Sequence, residues 1–242
     1  MKPFCYLLAF LALAITWTAC KSDTDIIPQT HGNVMVFNAV PGNVGYNLIS
    51  VFVDTTQIAN MLKTGDTSAF STFRSQLYPV YIHAADNDTS IQTEMTIRNN
   101  HNFSFFLVYD TLPLQGQPKY TGLLTDDTLR RPEVNTVRLR VIDLGKTLLG
   151  QGDTASIQPI TIAMDYDTAL LYNGMSFRQV GDFRTVAPGP HKLYFRTFYD
   201  SVWVRRDSLA VNLVSDNNYT VYTSGSLMRN DQFKAFIYRH WR

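Results

Sequence analysis

The acidic residues of this chain are almost all aspartates. Of the 20 acidic residues in the 242-residue sequence, only Glu94 and Glu133 are glutamates. Glutamate favours helix interiors, whereas aspartate favours turns and caps. Short runs rich in Val, Thr, Tyr and Phe alternate with Asp, Asn, Gly and Pro clusters along most of the chain. The pattern therefore predicts an all-β fold whose strands are joined by aspartate-containing turns.

The first half of the chain after residue 32 contains a series of short apolar segments separated by turn-forming residues. The predicted strands are 33–40, 48–54, 57–61, 70–73, 78–84, 91–98, 103–109 and 120–124. The segment from Phe103 to Tyr109 is apolar on both of its faces, which is expected of a central strand in a sheet that is covered on both sides. The polar stretch 127–135 is the best domain boundary, so we expect a first domain over residues 33–126.

A second series of segments resembles the first. Ile160 to Asp165 resembles Ile49 to Asp54, and Phe183-Arg184 resembles Phe73-Arg74. The segment after Asp216 resembles the one after Asn99. Further strands are predicted at 137–141, 191–198, 220–223 and 233–241. The sequence therefore predicts a second copy of the same fold over residues 136–242, and two tandem antiparallel β-sandwiches in all.

The first 20 residues have the features of an export signal. Lys2 precedes an apolar run from Phe4 to Trp17, and Thr18-Ala19 lead into Cys20. A run of roughly 14 residues is too short to span a bilayer but suits a signal-peptide core. The end of the run resembles a bacterial lipoprotein signal, in which the cysteine receives diacylglycerol, although Trp17 departs from the usual Leu, Val or Ile.

We therefore expect a lipoprotein signal peptide at 1–19, lipidation of Cys20, a polar tether over 20–32, and a position in the cell envelope at the outer membrane. The alternative is an ordinary secretory signal in which Cys20 is incidental. Cys5 would leave with the signal, so the mature fold would contain no disulfide. The 21 basic residues nearly balance the 20 acidic ones, so the sequence has no electrostatic footprint for nucleic acid.

The opening strand with its Ala39 to Gly42 turn, the two similar strands at Ile49 and Ile160, and the Pro-Gly turn at Pro188-Gly189 together resemble the domain-of-unknown-function 4397 family. The likeness is to the form that occurs in Bacteroidota lipoproteins, here as two tandem copies. It implies an immunoglobulin-like or transthyretin-like sandwich. It implies no catalytic residues.

Motifs for catalysis, cofactors and metals are weak throughout. The segment Gly150 to Ala155 fits G-x-G-x-x-A, but Pro159 would stop any following helix early, so a flexible loop is expected. The histidines lack metal-ligand spacing, and His83 and His191 lie on corresponding strands of the two copies, which favours a scaffold role. Asp86-Asn87-Asp88 and Asp165-Tyr166-Asp167 do not continue into a calcium-binding loop. We expect no catalytic residue, no metal and no cofactor.

Aromatic residues near the C-terminus are the best candidates for ligand binding. Tyr199, Trp203 and Trp241, with Arg205 and Arg239 nearby in sequence, could form a surface platform, because exposed aromatic faces stack on sugar rings or on partner side chains. Packing inside the second domain is the alternative for these side chains. We expect a non-catalytic binding or adhesion module for glycan or protein. The alternative is a structural or assembly accessory of an envelope complex.

Seven tripeptides share the pattern Asp, then Ser or Thr, then mostly an apolar residue. They resemble an O-glycosylation acceptor of Bacteroidota envelope proteins, but an Asp-Thr pair also opens turns before strands, so both interpretations stay open. They begin at Asp54, Asp110, Asp127, Asp153, Asp167, Asp200 and Asp207.

Overall fold

A computed structural model describes most of the chain that follows residue 29. The described residues are 30–42, 48–84, 90–110, 120–127, 129–146, 148–149, 156–157, 159–166, 169–199, 201–225 and 233–240. The predicted signal peptide, Cys20 and most of the tether lie outside them, as do the Gly150 to Ala155 segment and Asp86 to Asp88.

The first half of the described chain contains eight strands. They are β1 (His31–Asn38), β2 (Ile49–Val53), β3 (Thr56–Leu62), β4 (Ser71–Arg74), β5 (Leu77–Ala84), β6 (Ser90–Thr96), β7 (Asn102–Tyr109) and β8 (Tyr120–Asp126). The second half adds β9 (Val137–Ile142), β10 (Leu148–Leu149), β11 (Ser156–Ile157), β12 (Ile160–Met164), β13 (Leu170–Met175), β14 (Arg184–Val186), β15 (Gly189–Tyr199), β16 (Val202–Leu213), β17 (Asn218–Ser224) and β18 (Lys234–His240). The prediction of an all-β protein is confirmed.

The two halves have the same sheet order. The first half forms one sheet in the order β4-β1-β7-β8 and another in the order β3-β2-β5-β6. The second half forms β14-β9-β17-β18 and β13-β12-β15-β16, while β10 and β11 pair separately. We call the first-named sheet of each half its inner sheet and the other its outer sheet. Each half is therefore a β-sandwich, which confirms the predicted fold class.

Among the described strands, pairing within the sandwiches is antiparallel with one exception in each. β1 runs parallel to β7 in the first sandwich, and β9 runs parallel to β17 in the second. Both exceptions place the opening strand of a half beside its second-last strand. Turn geometry also repeats, since Asp54 and Asp165 directly follow β2 and β12 and have positive φ angles of 53° and 62°. Aspartate tolerates this left-handed conformation better than most residues, which explains its place at both turns.

Alternating apolar residues build the core of each sandwich. Val34, Val51 and Phe105 are among the buried residues between the sheets of the first sandwich. Leu139, Ile162 and Phe195 belong to the equivalent core of the second. No helix that is long and apolar enough to cross a membrane is found among the described residues.

A third core joins the two inner sheets. The outward faces of β1 and β7 contribute Met35, Phe37, Phe106 and Val108, and the second sandwich contributes Ile142, Leu144 and Tyr222. The rings of Phe37 and Phe106 stack with centroids 4.5 Å apart. Tyr222 meets both of them edge-on, at 5.7 and 5.4 Å. The residues from His31 to Arg242 form one compact unit because this core covers the second face of each inner sheet.

A buried polar network lies beside the third core. Arg140 on β9 forms an ion pair with Asp127, whose carboxylate also accepts from Ser104 and Thr125. The Arg140 Nε donates to Thr220 at 2.9 Å, and Thr220 Oγ1 lies 2.7 Å from Nε2 of His240. Side-chain exposure is 4% for Arg140 and 1% for Asp127. The first residue of the stretch that we predicted as a linker is thus buried against the second sandwich.

Candidate functional site

The hairpin formed by β15 and β16 extends beyond the strands beside it. β15 pairs with β12 only from Leu193 to Arg196, whereas its pairing with β16 continues to Tyr199 and Val202. Ser201 lies in the connecting turn with a φ of 64°. Within the described part of the chain, the far end of the hairpin therefore has no neighbouring strand on the β12 side.

Two aromatic side chains face each other near this end. Phe198 and Trp203 are cross-strand partners, and their ring centroids are 5.1 Å apart with an interplanar angle of 59°. Each is about half exposed, at 52% and 49%. The guanidinium of the buried Arg196 lies 5.0 Å from the centroid of the Trp203 ring. A cation over an indole face contributes about 0.5–2 kcal/mol, so Arg196 holds the ring in place while part of it faces solvent.

Polar groups from β12 and β13 lie next to the aromatic pair. The Thr161 hydroxyl donates to Oδ1 of Asn173 at 3.2 Å and accepts from the Gly174 amide at 3.2 Å. Pairing between β12 and β13 shifts register here, and Gly174 has a φ of +64°, a conformation that glycine adopts without steric cost. The resulting bulge brings the Asn173 amide towards the aromatic end of the hairpin.

These residues surround an open cavity of about 360 Å³. Its lining comprises Pro159, Thr161, Asn173, Gly174, Phe198 and Trp203. We call the group formed by Thr161, Asn173, Phe198 and Trp203 the hairpin site. An indole face and an amide around one cavity can stack on an apolar ring face and hydrogen-bond to its substituents.

Residues 32–147 match the family model of DUF4397, a domain of unknown function. The match begins in β1, covers the whole first sandwich and continues through β9. The family resemblance of the sequence is therefore supported for this part of the chain. The hairpin site lies outside the DUF4397 match, so the match carries no information about it.

Two solved structures resemble the chain at low sequence identity. One is a candidate cell adhesion protein from Bacteroides eggerthii, with 8% identity, a TM-score of 0.29, and coverage of 87% of this chain and 95% of that one. The other is a candidate cell adhesion protein from Parabacteroides distasonis, with 6% identity, a TM-score of 0.24, and coverage of 88% and 100%. Both scores are too low to establish a common fold or function. Among curated proteins, none matches the chain.

The residues that we predicted for ligand binding are only partly described. Trp203 lies in the hairpin site, and Tyr199 ends β15 with its side chain outside the described part. Trp241 also lies outside it. Arg205 lies opposite Arg196 on β16, whereas Arg239 belongs to β18 of the other sheet. Phe198 and Asn173 were not predicted as site residues. The position of Phe198 in a predicted strand, next to Tyr199, could have indicated its role.

The histidines of the described chain contact neighbouring strands and turns. His191 places Nδ1 2.7 Å from Asp165 and Nε2 2.9 Å from the Ala187 carbonyl, so it ties the turn after β12 to β15. Desolvation raises the pKa of the Asp165 carboxyl, but hydrogen bonds from His191 and Lys192 outweigh this effect and lower the pKa below its usual value. Burial lowers the pKa of His240 to about 4, so this ring is neutral at physiological pH.

Metal-ligating side chains do not cluster in the described residues. No group of three or more His, Cys, Asp or Glu there could hold a metal ion.

Proposed function

We propose that this protein is a non-catalytic binding module of the cell envelope that recognises glycan through the hairpin site. The observation that carries the proposal is Trp203, a half-exposed indole held by Arg196 beside the Asn173 amide and a cavity of about 360 Å³. Phe198 and Trp203 form a contiguous exposed aromatic pair. Contiguous exposed apolar patches mark binding sites, and Trp is prominent among residues that dominate binding energy.

The chemistry of the hairpin site fits a sugar ring. A pyranose has an apolar face of C–H groups that stacks on an indole, and hydroxyl groups around its edge that need hydrogen-bond partners. The exposed Asn173 offers its amide at the edge of the aromatic pair, and the buried Thr161 hydroxyl holds that amide in position. A volume of about 360 Å³ lies within the usual range for a small-molecule pocket.

We further propose that the module is a lipoprotein, anchored through diacylglycerol on Cys20 at the outer membrane. The sequence from Lys2 to Cys20 supports this, because a short apolar run, small residues and a cysteine occur in that order. Each buried methylene contributes about 0.8 kcal/mol, so two or three acyl chains give a stable anchor. Labelled palmitate is expected to enter the protein, and Cys20→Ser to abolish the labelling; equal labelling of the variant would exclude the anchor.

The second sandwich is proposed to be a second copy of the DUF4397 fold. The identical sheet orders of the two halves support this relationship. The second copy would then differ from the first by its long β15–β16 hairpin, which carries the glycan site.

A glycan array probed with the fragment from Lys21 to Arg242 tests the proposed binding. We expect the fragment to bind a subset of glycans, and Trp203→Ala to weaken that binding at least about tenfold. Tyr166→Ala is the matched control, because Tyr166 is a 73% exposed aromatic residue of the same sandwich outside the site. Absence of glycan binding, or equal losses in the two variants, would contradict the proposal. Co-purification of an envelope complex would then favour an assembly role.

A further inference from the structure

A second cavity, of about 280 Å³, lies where the chain passes from the first sandwich to the second. Leu129 and Arg130 line it from the connecting segment, Arg138 and Arg140 from β9, and Asp182 and Phe183 from the segment before β14. Asp126, at the end of β8, also faces it. We call this cavity the arginine cleft. It is separate from the hairpin site and shares no lining residue with it.

Two of the charged residues in the arginine cleft are already neutralised. Arg140 forms its ion pair with Asp127. Asp126 lies 2.6 Å from Nη2 of Arg98 and 2.6 Å from Nδ1 of His101. Neither residue therefore contributes much net charge to the cavity.

Among the described residues, Arg130 and Arg138 have no carboxylate partner. Across the described part of the chain, no carboxylate oxygen lies within 4.0 Å of either guanidinium. Asp182 lines the same cleft but forms no such ion pair. The cleft therefore holds two uncompensated guanidinium groups against one carboxylate.

Contacts hold Arg138 and the backbone of Arg130 in position. The Nη1 of Arg138 donates to the Arg130 carbonyl at 3.1 Å, and Nδ2 of Asn218 donates to the same carbonyl at 3.3 Å. The guanidinium of Arg138 lies 4.8 Å from the centroid of the Phe183 ring. Burial, and then the neighbouring charge of Arg130, lower the pKa of Arg138. The charge of Arg138 is therefore fixed in the cleft, and the neighbouring like charge of Arg130 favours binding of an anion there.

We propose that the arginine cleft binds a small carboxylate-bearing ligand, with Arg130 and Arg138 as the anion-binding residues. A guanidinium fork matches a carboxylate in shape and can donate two parallel hydrogen bonds to it. Arg130, Arg138 and Asp182 together carry one net positive charge, which a single carboxylate on the ligand neutralises. A doubly charged anion would leave the cleft with a net negative charge. Leu129 lines the cleft and offers the carbon part of the ligand an apolar contact. The Phe183 ring is already covered by the guanidiniums of Arg138 and Arg140, each 4.8 Å from its centroid.

Nuclear magnetic resonance titration of the Lys21 to Arg242 fragment tests this proposal, with glucuronate as the probe and constant ionic strength. We expect saturable amide shifts around Arg138 and Phe183. Glucose, which has the same ring without the carboxylate, should leave these amides unchanged. Stronger binding of sulfate than of glucuronate would overturn the assignment to a carboxylate.

Three arginine variants provide the decisive comparison. Arg130→Gln and Arg138→Gln should each weaken glucuronate binding about tenfold, because each removes a charge-assisted hydrogen bond. Arg131→Gln removes the same charge from the adjacent exposed residue and should leave the affinity within about twofold. Because Arg130 is exposed, its variant should fold even if the Arg138 variant does not.

Equal losses in all three variants, or no saturable shift in the unmodified fragment, would overturn the proposal. Trp203→Ala should bind glucuronate at the arginine cleft as the unmodified fragment does. Because Trp203 lies in the hairpin site alone, this variant tests binding at the arginine cleft independently of binding at the hairpin site.

Discussion

Arg140 shows how a charged residue can become part of an interface between two sandwiches. The alternation of Val137, Leu139 and Val141 correctly predicts that Arg140 points away from the core of its own sandwich. The sequence does not reveal that this second face lies against the first sandwich. The pairing with Asp127 depends on contact between two inner sheets, and local periodicity carries no information about that contact.

Removal of one partner from the Arg140–Asp127 pair should be strongly destabilising. Asp127→Asn leaves the guanidinium buried without a counter-charge, which should lower the free energy of unfolding by about 3 kcal/mol. Urea unfolding measures the change. Asp126→Asn is the control, because Asp126 pairs with the exposed Arg98 at the surface and should cost about 1 kcal/mol or less. Equal losses would contradict the burial of the pair.

Asp143 should make stability depend on pH. Its carboxyl is fully buried, and desolvation raises its pKa to about 8 even though Thr223 and the Gly145 amide hydrogen-bond to it. In the unfolded chain the group ionises near its usual pKa of about 4. The folded state therefore binds one more proton between these values, so stability falls as the pH rises from about 4 to about 8.

Asp143→Asn should remove that fall. An amide oxygen can accept the same hydrogen bonds from Thr223 and Gly145, and it does not ionise. Urea unfolding at several pH values should show a smaller decline in the free energy of unfolding between pH 5 and pH 8 than in the unmodified protein. Parallel pH profiles for the two proteins would show that Asp143 is not held protonated.

At the scale of elements, β7 carries the clearest agreement between sequence and structure. Its apolar residues on both faces predict a covered central strand, and Phe105 lies in the first core while Phe106 lies in the third. Most other predicted strands agree with the observed ones to within two or three residues. The division of the chain at 127–135 stays a prediction.

Five observed strands, β10, β11, β13, β14 and β16, are not among the predicted strands. β16 contains the charged run Arg205-Arg206-Asp207, which breaks the expected alternation, and pairing with β15 shifts register beside it. A register shift also brings Asn173 into the hairpin site. The hairpin site could therefore be predicted only through Trp203, because the bulge that completes it leaves no regular sequence pattern.

The turn at Gly65 should tolerate no side chain. Gly65 has a φ of +86°, and an added Cβ would overlap the ring of Phe236 in the other sandwich. Left-handed backbone strain alone costs about 1–2 kcal/mol. Gly65→Ala should therefore lower the free energy of unfolding by more than this amount. Gly174→Ala is the control, because Gly174 also has a positive φ, of +64°, but the nearest atom to its Cβ position, Pro159 Cβ, is 4.0 Å away. Urea unfolding should rank Gly65→Ala as the more destabilising change, and the reverse order would contradict the close contact.

At the scale of the molecule, the two sandwiches are joined by many contacts in addition to the third core. Lys146 Nζ lies 2.6 Å from Asp110, and the Ser224 hydroxyl donates to the Ala39 carbonyl at 2.6 Å. The Tyr222 hydroxyl donates to the Gly65 carbonyl at 3.2 Å. Domains usually move relative to each other unless their interface is extensive and apolar. The shared core therefore predicts that the sandwiches behave as one rigid and cooperative unit.

Differential scanning calorimetry of the Lys21 to Arg242 fragment tests that claim most directly. We expect one transition whose calorimetric and van't Hoff enthalpies agree. Phe106→Ala, which removes a fully buried ring from the third core, should lower the midpoint of the whole transition or split it. Two separate transitions in the unmodified protein would show that the sandwiches unfold independently and would contradict the account.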